Sequence, residues 1–133
     1  MKDCIFCKII SGDIPCMKVY EDDLVLAYLD INPDSDGHTL IIPKEHYKDI
    51  NDIPDKTLLH IYKTSKKIMR ILEEKLGATG FSLLQNNGSV QEVKHYHLHV
   101  KPYYENKKQN ELIKHNELIK DPKEIYEIVK EAN

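Results

Sequence analysis

Residues 95–100 read His95-Tyr96-His97-Leu98-His99-Val100, a histidine alternating with an apolar residue. On an extended strand, alternate side chains share a face. The spacing therefore predicts a strand with three imidazoles on one side. Tyr96, Leu98 and Val100 would then enter a core on the other side. Neighbouring histidines in such a row stand about 6–7 Å apart at ordinary strand rise. Crowded imidazoles resist becoming charged together, and a neutral imidazole is a competent nucleophile or metal ligand. Three of the chain's seven histidines fall on this one row. That concentration argues against a strand that merely turns histidines to solvent. A pure metal site is the competing reading.

Outward from that row, Phe81 to Leu84 is strand-like. Asn86-Asn87-Gly88 makes a turn, because Asn and Gly tolerate positive φ. Upstream, a helix is predicted from about Pro54 to Leu76, with Leu58, Tyr62, Met69, Leu72 and Leu76 at helical spacing. Asp52 and Pro54 mark its start and Gly77 its end. Thr39 to Ile42 is a β-rich run ended by Pro43. Val19-Tyr20 and Leu24 to Leu29 flank Glu21-Asp22-Asp23 as a hairpin. Near the C-terminus, Asp121-Pro122-Lys123-Glu124 supplies an N-cap, a proline at the first helical position and a capping-box acid. Ile125, Ile128, Val129 and Ala132 then form one helical stripe. The order implies an α+β fold: an antiparallel sheet of about five strands, one long helix and a short C-terminal helix. Residues 1–104 form the domain, and 105–133 form a C-terminal extension packed on the domain or on a dimer partner. The pentapeptide Asn-Glu-Leu-Ile-Lys occurs at 110–114 and 116–120, too short to be an architectural repeat.

Composition bounds the function classes. The chain has 133 residues, 41% of them apolar and 31% charged, as expected for one soluble globular domain. A formal net charge of −3 gives no electrostatic footprint for long nucleic acid. No export signal and no bilayer-spanning apolar stretch are read in the sequence, so the expected location is cytoplasmic. The cysteine count of three is odd, and two of them form Cys4-x-x-Cys7. Without export, that spacing indicates metal or thiol chemistry rather than a disulfide scaffold.

The row at 95–100 resembles the signature of the histidine triad family, in which histidines alternate with apolar residues. Further blocks are similar to family segments in the family order. They are Cys4-Ile5-Phe6-Cys7-Lys8-Ile9-Ile10, Asp30-Ile31-Asn32-Pro33, Gly37-His38-Thr39-Leu40-Ile41-Ile42-Pro43-Lys44 and Asn86-Asn87-Gly88. The resemblance covers roughly residues 3 to 102 and points to the nucleotide-binding branch, of the bacterial type that carries a zinc site.

The resemblance implies a mechanism in which His97 attacks an α-phosphorus and forms a nucleotidyl-histidine intermediate. It implies that His99 contacts the phosphate and manages protons near the leaving group. His38 is implied to orient a reacting imidazole, a role compatible with an ordinary hydrogen-bonded structural histidine. Asn86 would reach the phosphate, or serve only the turn. Asp30 would accept from the two ribose hydroxyls. Ile5, Phe6, Ile9, Tyr28, Leu29 and Ile31 would line an apolar base slot, with Ile9 and Ile31 equally suited to the core. Such a slot would take purines broadly.

Cys4 and Cys7 need two more ligands for a tetrahedral metal. The resemblance supplies them as His46 and His95, giving one structural Zn2+ per chain and no organic cofactor. A pair of free thiols is the alternative. Cys16 has no partner in that scheme.

Three departures from the family pattern stand out. The segment between Gly88 and His95 is short, although Gln91 and Val93 align with family residues that contact substrate. Glu92 lies where relatives place a hydroxyl near the leaving group, and a carboxylate there would favour amine over anionic leaving groups. Lys101 replaces the last apolar position of the signature and is expected at the strand end with its head in solvent.

The resemblance implies a homodimer. Three activities follow from it. The first is cleavage of a nucleoside 5'-phosphoramidate or acyl-nucleotide to a purine nucleoside monophosphate. The second is hydrolysis of a dinucleoside polyphosphate. The third is non-catalytic nucleotide binding by a zinc-stabilised adaptor.

Overall fold

The computed structural model describes residues 3–105 and 120–130. Its elements in chain order are α1 (Ile5–Ser11), β1 (Lys18–Glu21), β2 (Val25–Leu29), β3 (Thr39–Pro43), α2 (Asp55–Leu76), β4 (Gly80–Leu84), β5 (Leu98–Tyr103) and α3 (Pro122–Val129). A single 3-10 turn, Gly88–Val90, lies between β4 and β5. The five strands form one antiparallel sheet in the order β1-β2-β3-β5-β4. The fold is therefore α+β, as the order of elements implied.

Strand alternation divides the core in two. Val25 and Ala27 of β2, Ile41 of β3, and Leu98 and Val100 of β5 pack under α2, against Ile61, Ile68 and Leu72. Leu26, Tyr28, Leu40 and Ile42 face the other way and are covered by Cys4 and Phe6. Burying the first set seats the long helix, and burying the second seats the short one.

The buried stripe of α2 is Ile61, Thr64, Ser65, Ile68 and Leu72. Tyr62 and Leu76, which the helical spacing places on that stripe, are 40% and 45% exposed. The difference has a local cause. Thr64 Oγ1 donates to His60 O at 2.8 Å, and Ser65 Oγ donates to Tyr62 O at 2.6 Å. With their hydroxyls satisfied on the helix itself, both residues enter the core at little cost.

Two further expectations are corrected. β5 starts at Leu98, so His95, Tyr96 and His97 precede the strand. Tyr96 N–H donates to Tyr47 O at 2.7 Å, outside the sheet. The opposite end of β3 is Pro43, which has no N–H to offer a neighbouring strand. At 86–88 only Gly88 takes positive φ, at 75°, and Asn87 is extended.

The connection from β2 to β3 carries much of the site. Asp30 N–H donates to His38 O at 2.9 Å, closing the loop at its base. Gly37 has φ 91°, and an added Cβ would lie 2.9 Å from both Leu72 Cδ2 and Leu76 Cδ1. The loop thus comes down onto α2 through a residue that must lack a side chain.

At the C-terminus, Asp121 caps α3 by accepting from Lys123 N–H at 2.8 Å. Ile125, Ile128 and Val129 of its stripe are exposed. Ala132 and residues 106–119 of the extension lie outside the described residues.

Candidate active site and metal cluster

His99 belongs to β5 and His97 lies just before that strand, with ring centroids 5.0 Å apart. They line a cavity of about 440 Å³ together with Asp30, Asn32, Asp34, His38, Leu84, Asn86, Glu92 and Lys101. Thus five of the expected site residues, His97, His99, His38, Asp30 and Asn86, meet in one polar cleft, with Glu92 at its wall.

Hydrogen bonds fix each imidazole. His97 Nδ1 lies 2.8 Å from His95 O. A carbonyl only accepts, so Nδ1 carries the proton and Nε2 keeps its lone pair. Burial pushes the His97 ring below its ordinary proton affinity, while the bond to His95 O, Glu92 and Asp30 pull the other way. The ring is therefore neutral at neutral pH, with a free nitrogen.

His38 is held from both sides. Asp34 N–H donates to His38 Nδ1 at 3.1 Å, so the His38 proton sits on Nε2. His38 Nε2 then donates to His99 Nδ1 at 2.9 Å. That bond leaves the proton of His99 on its own Nε2. Burial, reinforced by His97, His38 and the Lys101 ammonium, pushes His99 down to about 3. Asp30 Oδ2 stands 3.6 Å from His38 Nε2, and Asp30 Oδ1 accepts from Asn32 N–H at 2.9 Å. Asp30, His38 and His99 bring ligand-type atoms within 4.8 Å of one another. Because His38 Nε2 bears a proton, this trio is a proton-holding chain and not a metal site.

The metal-type cluster lies on the other side of Phe6. Cys4, Cys7, His46 and His95 bring their ligand atoms within 4.8 Å of one another. His95 Nδ1 is 3.3 Å from Cys4 Sγ, 3.5 Å from Cys7 Sγ and 3.1 Å from His46 Nδ1. Cys7 Sγ is 3.3 Å from His46 Nδ1. Ligands around a tetrahedral zinc at ordinary bond lengths lie about 3.3–3.8 Å apart, so the set fits such an ion. His95 Nε2 donates to Pro43 O at 2.9 Å, which turns a deprotonated Nδ1 toward the thiols. Burial pushes His95 down to about 4, which also favours the unprotonated ligand form. Local structure assembles the thiols: Cys4 caps α1 and accepts from Cys7 N–H at 3.4 Å.

Phe6 joins the two sites. Its ring stands edge-on to His95 at 5.7 Å and to His97 at 4.9 Å. Tyr28 packs against it at 6.3 Å, and Ile9 closes the same cluster. Ile5 and Val93 line a separate cavity of about 390 Å³ beside the cluster, which Cys4, His46 and Glu92 share.

Other expected residues go elsewhere. Leu29 belongs to the Val25–Ala27 side of β2 and lines a groove with Ile71 and Leu72 of α2, away from Phe6 and Tyr28. The two-residue period of a strand forbids Tyr28 and Leu29 from sharing a slot. Ile31 is 78% exposed at the mouth of that groove. Gln91 is buried as a brace: it donates to Lys48 O at 2.7 Å and accepts from Gly88 N–H at 3.1 Å.

Lys101 corrects the expectation of a solvent-facing head. It is buried, and its Nζ pairs with Asp34 Oδ2 at 2.7 Å. Its place in the site was readable from the sequence by parity, because 97, 99 and 101 share one face of a strand.

Among the described residues no helix is long and apolar enough to cross a membrane. Comparison with known proteins agrees with the geometry. An uncharacterized HIT-like protein of Methanocaldococcus jannaschii is 52% identical over 104 residues, which is 77% of this chain and 80% of that one. An adenosine 5'-monophosphoramidase of Schizosaccharomyces pombe is 45% identical over 101 residues, covering 74% and 73% of the two chains. The crystal structure of a zinc-bound histidine triad family protein from Mycobacterium smegmatis superposes with a TM-score of 0.78 at 38% identity, covering 86% of this chain and 85% of that one. The HIT domain model matches residues 11–106, and the chain belongs to the HIT family.

Proposed function

We propose that the protein is a nucleotide hydrolase or transferase that cleaves a nucleoside 5'-phosphoramidate or acyl-nucleotide through a nucleotidyl-histidine. The observation that carries the reading is the fixed tautomer of His97, whose Nδ1–H is held by His95 O at 2.8 Å and whose Nε2 lone pair is free. Nε2 attacks the α-phosphorus and the bond from phosphorus to the leaving group breaks. The leaving amine takes the proton carried by His99 Nε2. Water then attacks the phosphorus, gives up a proton to His99, and the bond from phosphorus to His97 breaks. The nucleoside monophosphate leaves, and both histidines return to their starting states.

Asp30 accepts from the ribose diol and Asn86 donates to the phosphate. The apolar side chains of Ile5, Phe6, Ile9, Tyr28, Ile31 and Val93 are the candidates for contact with a purine base. Leu29 packs toward α2 and Gln91 braces residues 88–91, which turns both away from Phe6, while Ile31 is 78% exposed and open to a ligand. Cys4, Cys7, His46 and His95 would hold one Zn2+, and the relative with bound zinc supports that ion. When bound it supplies rigidity, since four protein ligands leave no open position. A cytoplasmic homodimer completes the reading, with the C-terminal extension packed on the domain or on the partner.

The name of the Schizosaccharomyces pombe relative supports an amine leaving group. So does Glu92 at the cavity wall. A dinucleoside polyphosphate would need unpaired cations, and among the described residues the lysine lining the cavity, Lys101, is engaged by Asp34.

Single-turnover incubation with an adenosine phosphoramidate, beside a diadenosine polyphosphate, tests the reading. Release of AMP from the phosphoramidate, abolished in His97→Ala with AMP binding retained, is expected. Preference for the polyphosphate, or binding without turnover, would refute it.

A further inference from the structure

Lys101 is a buried ammonium at the edge of a histidine cleft, and the mechanism above gives it no role. Its residue is 8% exposed, whereas the side chain of its partner Asp34 is 55% exposed. A surface ion pair rarely buries one end so completely. The pair is the first link of a continuous chain. Lys101 Nζ holds Asp34 Oδ2 at 2.7 Å. The main-chain N–H of that same Asp34 donates to His38 Nδ1 at 3.1 Å. His38 Nε2 donates to His99 Nδ1 at 2.9 Å. The His99 ring stands beside the His97 ring at 5.0 Å.

We propose that Lys101 is a positioning residue: by clamping the Asp34 carboxylate it aims the Asp34 N–H at His38 and so selects the tautomer that hands His99 its donor proton. Without the clamp, Asp34 sits in a loop whose carboxylate is mostly in water. Its N–H is then free to leave the ring, and only the His99 ring and the Asp30 carboxylate, 3.6 Å away, still favour a proton on Nε2. A His38 with its proton on Nδ1 could no longer donate to His99. His99 would then lose the bond that puts its proton on the side facing the cleft. The inference rests on the nucleotidyl-transfer reading for its catalytic consequence, and on geometry alone for its tautomer.

A purely structural ion pair is the competing account. It would change stability and leave the imidazoles alone. Lys101→Met keeps chain length and removes the charge, Lys101→Arg keeps the charge, and Asp34→Ala breaks the pair from its exposed end. If either single variant fails to fold, the double variant Lys101→Met/Asp34→Ala decides the matter, because it breaks the clamp and leaves no unpaired buried charge.

The first readout is the 15N chemical shift of the His38 ring nitrogens in the metal-loaded protein. Wild type should show a protonated Nε2 and a bare Nδ1, and Lys101→Met and Asp34→Ala should show mixed tautomers. The second is turnover of an adenosine phosphoramidate. In both variants kcat should fall about 10–100-fold with KM within about threefold, and Lys101→Arg should recover most of the loss. Variants that keep the wild-type His38 pattern and kcat while losing only stability overturn the inference. A wild-type protein inactive on the phosphoramidate overturns the functional reading instead, and the tautomer comparison then still decides this one.

Discussion

Replacing Phe6 by alanine probes whether the short N-terminal helix is a structural part of the site or a loose cover on it. The ring is 6% exposed. It touches Tyr28, His95 and His97 edge-on, at centroid distances of 6.3, 5.7 and 4.9 Å. Truncating a ring buried to that extent costs about 3–5 kcal/mol, from lost transfer energy and the cavity left behind. A domain of this size holds about 5–15 kcal/mol in total. The variant should therefore fold but lose much of its margin. At a urea slope of about 2 kcal/mol per molar, the midpoint should drop by roughly 2 M. Phe6→Leu keeps most of the apolar area and loses mainly the edge contacts, for about 1–2 kcal/mol. The assay is urea unfolding followed by far-UV circular dichroism on metal-loaded protein. A loss below about 1 kcal/mol for Phe6→Ala would show that the ring does not rest on the imidazoles, and the packing account of the site would fail.

Treating the protein with a chelator, or replacing Cys7 by serine, should lower the melting temperature and slow turnover, while AMP affinity changes less. Unchanged melting with and without chelator would remove the structural role of the cluster. Gly37→Ala should cost about 2 kcal/mol or more, since φ 91° and two side-chain contacts at 2.9 Å both oppose a Cβ; a melting temperature within 2 °C of wild type would contradict this. Stability should also fall in acid because of His99. Its folded value of about 3 lies below the ordinary value near 6.5, so the unfolded chain takes the proton first. The stability His99 contributes is full above about pH 6.5 and is lost progressively as pH falls toward about 3, on the order of 1 kcal/mol per pH unit. His99→Gln should flatten that slope, and equal slopes in the two proteins would sink the assignment.

The sheet and its long helix were legible because they rest on strong local signals: alternation at 95–100, the helical spacing before Gly77, and the proline that ends β3. What escaped was decided by tertiary partners. Thr64 and Ser65 entered the core because each hydroxyl bonds a carbonyl of its own helix, which an apolar count ignores. Histidines 95 and 97 share a face as expected, yet leave the sheet because Pro43 offers a carbonyl to a side chain and no N–H to a strand. Leu29 and its neighbour Tyr28 cannot share a slot, because the parity of the strand that carries both turns them to opposite faces. Lys101 was misplaced for the opposite reason. Parity put it on the histidine face, but only Asp34, distant in sequence, explains why a lysine could stay buried there. The four metal-type ligands could be paired only through family resemblance, because His46 and His95 come from segments far apart along the chain.

His95 serves two neighbours with two different parts of itself. Its ring belongs to the thiol cluster, and its main-chain carbonyl holds the proton of His97. A side chain can be exchanged by mutation, but a carbonyl cannot be. It can only be moved, by moving the residue that owns it. Whatever shifts the ring of His95 therefore shifts the atom that sets the reactive form of His97. Damage to the thiols, by oxidation for instance, would reach His97 through the backbone with no change in any residue that lines the cleft. If the proposed function holds, the protein would then lose rate while its cleft kept its shape and its affinity for a nucleotide.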